Sequence, residues 1–303
     1  LRTSKTSARQ SWQVARSAAA QVGVKMAPFY PALDLSVTGY RGEVSADGRE
    51  VPTTGSWGPA ATVSYLLLDF GGRAANVEDA RQALLAADWS HDAAIQDVVF
   101  AVQQAYFRYQ GAKALVEASH IAIKQAETAL EVATVRHDAG VATIADVLQA
   151  RTALSQARFN LAGVEGLMAT GRGALATAMG LPANLPFDVG ALAGEVPLEA
   201  AAGKIEPLIE QAMSRRPDLN ASRAQVLKAE AKVRSVRSEG LPTLSLSATG
   251  YRTFYDPDVF QDYRDNWSAR ALVTYPLFSG FANRHGGAKA KADAAAASAG
   301  TES

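Results

Sequence analysis

The chain has 303 residues, with 30 Lys and Arg balanced by 30 Asp and Glu, and no cysteine. Without a basic surplus it is not a sequence-independent binder of nucleic acid, which must neutralise phosphates. Missing thiols exclude disulfides and thiolate metal sites, and no apolar run reaches the roughly 18 to 20 residues of a membrane-crossing helix.

Residues 8–26 are Ala-rich and predict a helix, the main part of a leading segment 1–27. The segment 28–72 reads as a β-hairpin. Leu33, Leu35 and Val37 alternate with Asp34, Ser36 and Thr38, the period of a strand with unlike faces. Gly, Pro, Asp and Ser make 42–58 a long loop, and Thr62 to Leu68 forms the return strand. From Arg73 to Asp138 there is no proline, and small or apolar residues recur in steps of three and four (Val77, Ala80, Leu84, Ala87), with a stutter near Val98. About 65 helical residues span roughly 100 Å. A return helix follows Gly140 and stops at Met179-Gly180-Leu-Pro182, with Gly as cap and Pro as terminator. The whole of 73–180 is thus one long helical hairpin. Residues 181–203 form an intervening loop, and 204–240 continue the returning helix with a restart at Pro217. The two returning helices together match the first in length. A second hairpin, 241–281, precedes the start of another helix at 282–303. The chain opens on Leu1 and closes inside a helical pattern, so we expect a fragment or a processed product.

The two hairpins repeat each other. Pro31-Ala-Leu-Asp-Leu-Ser-Val-Thr-Gly-Tyr-Arg41 returns as Pro242-Thr-Leu-Ser-Leu-Ser-Ala-Thr-Gly-Tyr-Arg252, and Trp57, Val63, Tyr65 and Leu67 return as Trp267, Val273, Tyr275 and Leu277. Such a duplication fixes the architecture before any local motif does. Residues 29–70 and 251–281 also hold 15 of the 23 Phe, Trp and Tyr. Aromatic-edged strands suit a bilayer interface, and Tyr40, Trp57, Tyr65, Tyr251, Trp267 and Tyr275 are the candidate interface residues. An ordinary soluble sheet would also hold aromatics; the long helix and the duplication favour the membrane. Four strands cannot close a barrel alone, and open edges cannot face lipid, so copies of the chain must assemble.

The segment Arg136-His-Asp-Ala-Gly-Val-Ala-Thr-Ile-Ala-Asp-Val-Leu-Gln-Ala-Arg151 resembles the helix-turn segment of TolC-like outer-membrane efflux and secretion channels. Ala178-Met-Gly-Leu-Pro182, Arg216-Pro-Asp-Leu219, Glu239-Gly-Leu-Pro-Thr-Leu-Ser-Leu246 and Tyr275-Pro-Leu-Phe-Ser-Gly280 resemble other parts of that family in the same order. The resemblance implies a mainly α fold with β: a coiled-coil helical hairpin forming part of an α-barrel tunnel, plus two β-hairpins contributing to a twelve-stranded transmembrane barrel. It also implies a homotrimer in the bacterial outer membrane, with helices extending into the periplasm. The partners would be a periplasmic adaptor (membrane fusion protein), an inner-membrane pump and outer-membrane lipid. The family carries a second long helical hairpin after the second β-hairpin, of which this chain has only the beginning.

Taken alone, the turn at Asp138–Thr143 is a helix connection with a left-handed Gly140. The resemblance makes Gly140, Val141, Ala142 and Thr143 the adaptor-docking tip. It likewise makes Asp146 a candidate periplasmic gate, with Arg136 and Arg151 as local partners, although an acidic residue in a first helical turn is favoured by the helix dipole in any case. No enzyme, cofactor or metal site is expected. The four histidines, His91, His120, His137 and His285, are scattered. Gly171-Arg-Gly-Ala-Leu-Ala176 imitates a dinucleotide loop but lies inside a heptad rather than after a strand. The reading is therefore a conduit of a tripartite efflux pump or type I secretion system, set against a non-conducting periplasmic adaptor or coiled-coil scaffold.

Overall fold

The computed structural model describes residues 4–42, 45–46, 49–50, 54–190, 205–256 and 263–302. In chain order these form α1 (Ser4–Met26), a 3-10 turn (Ala27–Phe29), β1 (Ala32–Gly42), β2 (Ser45–Ala46), β3 (Arg49–Glu50), β4 (Thr54–Leu68) and α2 (Gly72–Asp138). There follow α3 (Ile144–Ala178), α4 (Ile205–Arg215), α5 (Pro217–Ser238), β5 (Thr243–Asp256), β6 (Tyr263–Thr274) and α6 (Ala282–Glu302). The fold is mainly helical with one four-stranded antiparallel sheet, and a two-residue ladder joins β2 to β3.

Two units divide the chain. One comprises Leu1–Gln13 and His91–Arg216, the other Val14–Ser90 and Pro217–Ser303. In the first, α2 and α3 form an antiparallel hairpin. Tyr109 is 4 % exposed, and a Cβ on Gly171 would stand 3.5 Å from its Cα. The neighbouring Gly173 faces Ala183 in the same way. A Cβ at either glycine would make only an ordinary van der Waals contact, so the glycines that imitate a nucleotide loop are positions on packed helix faces. Arg158 reaches across to Glu127 at 2.9 Å. Near the start of this unit Ser11 Oγ meets His91 Nδ1 at 2.8 Å, with the Trp12 ring 5.6 Å from the imidazole.

In the second unit, helices pack through small side chains. Ser235 Oγ donates to Asn76 Oδ1 at 2.8 Å, and Ala224 and Ala231 on α5 and Ala290 on α6 are buried. Alanine supplies most of the buried apolar positions in this unit, so its helices sit close together. Much larger apolar side chains, among them Phe100, Phe107, Phe159 and Leu167, stay exposed. Burial of that kind leaves apolar surface for other partners to cover.

The sheet order is β1-β4-β5-β6, so the two hairpins lie side by side and all neighbours are antiparallel. β4 begins at Thr54, so the expected loop at 42–58 is too long. Gly55, Gly58 and Pro59 are loop signals, but β4 is a central strand, paired to β1 throughout this stretch. Pro59 has no N–H to donate. Pairing to β5 accordingly skips from Trp57↔Phe254 to Ala60↔Tyr251, and a Cβ on Gly58 would stand 1.8 Å from the Arg252 carbonyl oxygen. β6 ends at Thr274, leaving Tyr275 and Leu277 outside a strand, whereas their counterparts Tyr65 and Leu67 lie within β4. Pro276 follows Tyr275 at once and cannot continue a ladder.

Candidate functional site

Register sorts the sheet into two unlike faces. Residues directly opposite on antiparallel strands share a face, and successive residues alternate. The row Leu33–Val63–Ala248–Ala269 therefore shares a face with Leu35–Ala61–Gly250–Trp267, and Tyr65, Leu246 and Ala271 extend it. The other face carries Asp34–Thr62–Thr249–Ser268, Ala32–Ser64–Ser247–Arg270 and Ser36–Ala60–Tyr251–Asn266. One face is apolar, the other is lined by hydroxyls. The Thr62 and Thr249 hydroxyls sit 3.1 Å apart on it.

The apolar face is open: Leu35 is 80 % and Trp267 83 % exposed. Its far end is banded by aromatic rings. Trp57 stacks on Phe254 at 4.6 Å, Tyr263 lies beyond, and the Arg252 guanidinium sits 4.5 Å from the Tyr263 ring. Arg252 also pairs with Asp265 through two bonds of 2.6 and 2.8 Å. At the helix end, Arg73 stacks on Phe29 and Tyr65 and donates to the carbonyls of Pro28 and Leu67 at 3.1 and 3.3 Å.

This register divides the aromatic set between the two faces. Trp57, Tyr65 and Trp267 lie on the apolar face; Tyr40 and Tyr251 lie on the hydroxyl face, one step out of phase; Tyr275 lies past the end of β6. Sequence spacing alone could not separate them, because it does not give the register between strands distant in the chain.

At the helical tip, α2 ends in a Schellman motif. The Val141 N–H donates to Arg136 O at 2.9 Å, the Gly140 N–H to His137 O at 2.8 Å, and Gly140 has φ +75°. Thr143 then caps α3 in a reciprocal capping box. Its N–H and Oγ1–H donate to Asp146 Oδ2 at 2.7 and 2.8 Å, and the Asp146 N–H donates back to Thr143 Oγ1 at 3.4 Å. The Thr143 backbone and hydroxyl bonds hold the Asp146 carboxyl below the usual carboxylate range, with lesser help from the charges of Arg136 and His137.

The structure thus brings Asp146 to Thr143 first and to Arg136 only at longer range. Arg151 makes no ion pair among the described residues. His137 contributes what the sequence did not suggest: its Nδ1 lies 3.1 Å from Ala142 O, clasping the turn from inside. The available signal was a His in the last turn of a helix, a position suited to bonding terminal carbonyls. Val141 and Ile144 are 67 % and 57 % exposed, and a groove lined by Thr128, Val132, Arg136, Val141 and Ala142 runs beside them.

A third cluster fixes the chain after α3. Asp188 accepts from Lys113 Nζ at 2.7 Å and from Tyr109 Oη at 2.9 Å, and Gln110 Nε2 donates to Gly190 O at 2.6 Å. These bonds, Lys113 first, hold the Asp188 carboxyl low, while Asp188 raises Lys113. Among the described residues no group of three or more His, Cys, Asp or Glu could hold a metal ion.

Known proteins share this arrangement. Residues 4–181 and 208–303 match the family model described as outer membrane efflux protein. Protein CyaE of Bordetella pertussis is 31% identical over 283 residues, covering 91% of this chain and 58% of that protein. The probable efflux pump outer membrane protein TtgC of Pseudomonas putida is 27% identical over 269 residues, covering 86% of this chain and 54% of its own length. The chain therefore spans a little over half of these curated relatives. Among solved structures, the outer membrane protein VceC of Vibrio cholerae superposes with a TM-score of 0.83 at 20% identity, over 98% of this chain and 71% of that one. CusC gives 0.81 at 21% identity, over 97% and 68%. The matched segments take in both β-hairpins and the long helical hairpin, and the chain belongs to the outer membrane efflux protein family.

Proposed function

We propose that this chain is the subunit of a homotrimeric outer-membrane channel, conducting substrate from an inner-membrane pump through the periplasm to the exterior. The observation that carries this reading is the two-faced open sheet. An apolar face banded by aromatics suits lipid, a hydroxyl face suits a wet lumen, and both edges need partners because unpaired backbone groups are costly in hydrocarbon. Three copies of a four-stranded sheet supply twelve strands. The helices extend into the periplasm, where Gly140, Val141, Ala142 and Thr143 form the docking turn for the hairpin of a periplasmic adaptor. Asp146, Arg136 and Arg151 stand at the same entrance, with Asp146 acting chiefly by fixing the turn. The channel serves a tripartite efflux pump or a type I secretion system and does no chemistry of its own. Relatives are named for toluene efflux and for pyoverdine export, so the architecture does not choose the cargo.

Membrane fractionation and reconstitution test this. A detergent-requiring trimer that dissociates on heating and conducts ions in planar bilayers is expected. A monodisperse monomer that needs no detergent would overturn the reading in favour of a soluble scaffold. Asp146→Ala in the same bilayers should raise conductance by loosening the entrance; unchanged conductance and selectivity remove it from the gate.

A further inference from the structure

The two edge strands of the sheet are complementary to each other. On the hydroxyl face, β4 and β5 show no charged side chain among the described residues, whereas β1 carries Asp34 and β6 carries Arg264 and Arg270. All three are exposed, and none has an ion-pair partner among the described residues. β1 and β6 also run in opposite directions, so β6 of one copy can continue antiparallel into β1 of the next.

Strand ends set the register of such a seam. Within the chain, the row of Ala32 ends on Arg270, while β6 runs on four residues further to Thr274. At its other end β1 runs on to Gly42, beyond the row of Tyr263. Sliding the next copy's β1 four residues towards the helix end of β6 levels both ends, setting Ala32 against Thr274 and Gly42 against Arg264. An even displacement keeps each face on its own side. Four residues of about 3.3 Å over four strands about 4.8 Å apart give a tilt near 35°, within the range of closed barrels.

We propose that β1 of one copy pairs with β6 of the next in this register, Ala32 opposite Thr274 through Gly42 opposite Arg264. The inference rests on the trimeric-channel reading and specifies its seam. It places Asp34 opposite Leu272, one diagonal step from Arg270, within reach of a long side chain. On the apolar face it sets Gly39 opposite Trp267. Gly39 has open space where a Cβ would be, and Trp267 is the most exposed of the sheet's aromatics, so the indole covers the glycine. Leu33, Leu35 and Val37 fall opposite Val273, Ala271 and Ala269. Arg41 falls opposite Asp265, joining the Arg252 pair already there.

Because the chain has no cysteine, disulfide trapping reads the register directly. Thr38→Cys with Ser268→Cys, set opposite each other across the seam, should give cross-linked dimers and trimers from detergent-extracted membranes. Asp34→Cys with Ser268→Cys lie in one row of the open sheet but four residues apart at the seam, and should give none. Cross-linking through the second pair alone, or through neither, overturns the register. Charge reversal supplies an independent measurement. Asp34→Arg or Arg270→Asp should each lower the trimer fraction about tenfold by setting like charges together at three seams, and the double reversal should restore it. Singles that assemble like the parent, or a double that stays dissociated, overturn the ion pair. A parent chain that is itself monomeric in lipid defeats the channel reading instead.

Discussion

Ala248 and Thr249 are neighbours on β5 with opposite surroundings, which makes them a direct test of the two faces. Ala248 sits in the middle of the apolar face, between Val63 and Ala269; Thr249 sits on the hydroxyl face, between Thr62 and Ser268. The Ala248 row contains no charge, and the Thr249 row only Asp34, two strands away on β1. Arg at the midplane of a lipid-facing barrel surface costs about 2–4 kcal/mol, or roughly 30- to 700-fold in the folding equilibrium. Arg at Thr249 loses only the contact between two hydroxyls 3.1 Å apart, worth about 1 kcal/mol at most where water can replace it. Urea titration of each variant in phospholipid vesicles, followed by the heat-modifiable folded band, measures both. Ala248→Arg should be severely destabilised and Thr249→Arg nearly native. Equal losses, or a larger loss at Thr249, would falsify the assignment of lipid and lumen to these faces.

The tip turn yields three further expectations. Gly140 has φ +75° and open space around its missing Cβ, so Gly140→Ala costs only the left-handed backbone, about 1–2 kcal/mol. Amide exchange at Val141 should then quicken at least about fivefold, while Gly140→Asn, which tolerates that backbone, should restore most of the protection. His137→Asn keeps a donor near the position of Nδ1 and should preserve the turn, whereas His137→Leu removes the bond to Ala142 O and should weaken adaptor binding without unfolding α2; equal binding by both variants refutes the clasp. The Asp146 carboxyl is depressed in the folded chain, so its capping contribution is complete above the unfolded carboxylate range and is lost as pH falls through the lower folded value. Tip amides should therefore keep their protection at neutral pH and lose it only in strong acid, and Asp146→Asn should abolish that acid step.

Local chemistry made the helical hairpin, its Gly140 turn and both β-hairpins legible, because heptad spacing, caps and period-two alternation are properties of neighbours in sequence. What escaped was set by partners far along the chain. Thr54 to Gly58 reads as loop, yet becomes strand because β1 and β5 flank it. Tyr40 and Tyr251 read as interface aromatics beside Trp57, yet a one-residue difference in phase puts them on the hydroxyl face. Asp146 illustrates the reverse case. The acid in a first helical turn was legible as one the helix dipole favours, and the structure uses its carboxylate in a capping box that the sequence reading did not name. The Tyr109–Lys113–Asp188 cluster joins residues more than seventy positions apart, and nothing in either segment announces the other.

The duplication is kept in backbone shape more strictly than in residue identity. Each hairpin passes into its following helix through two consecutive left-handed residues: Phe70 and Gly71 (φ +50° and +91°) in the first copy, Gly280 and Phe281 (+61° and +64°) in the second. Phe and Gly have exchanged places, although a left-handed non-glycine residue costs about 1–2 kcal/mol. A cost retained at both junctions, but on different residues, means that the turn itself is what the fold requires. It lets a helix start within a few residues of the sheet: α2 at Gly72 after β4 ends at Leu68, and α6 at Ala282 after β6 ends at Thr274. Different side chains then secure the same turn. In the first copy the Asp69 carboxylate accepts from the Arg73 N–H at 2.6 Å, and Arg73 ties the turn to Phe29, Tyr65 and Leu67. The backbone bond is common to both: the Gly72 N–H donates to the Asp69 carbonyl and the Ala282 N–H to that of Ser279, each at 3.1 Å. In the second copy Asn283, standing where Arg73 does, packs against Gly240. The element kept in both copies is thus the handover from strand to helix, whatever side chains surround it.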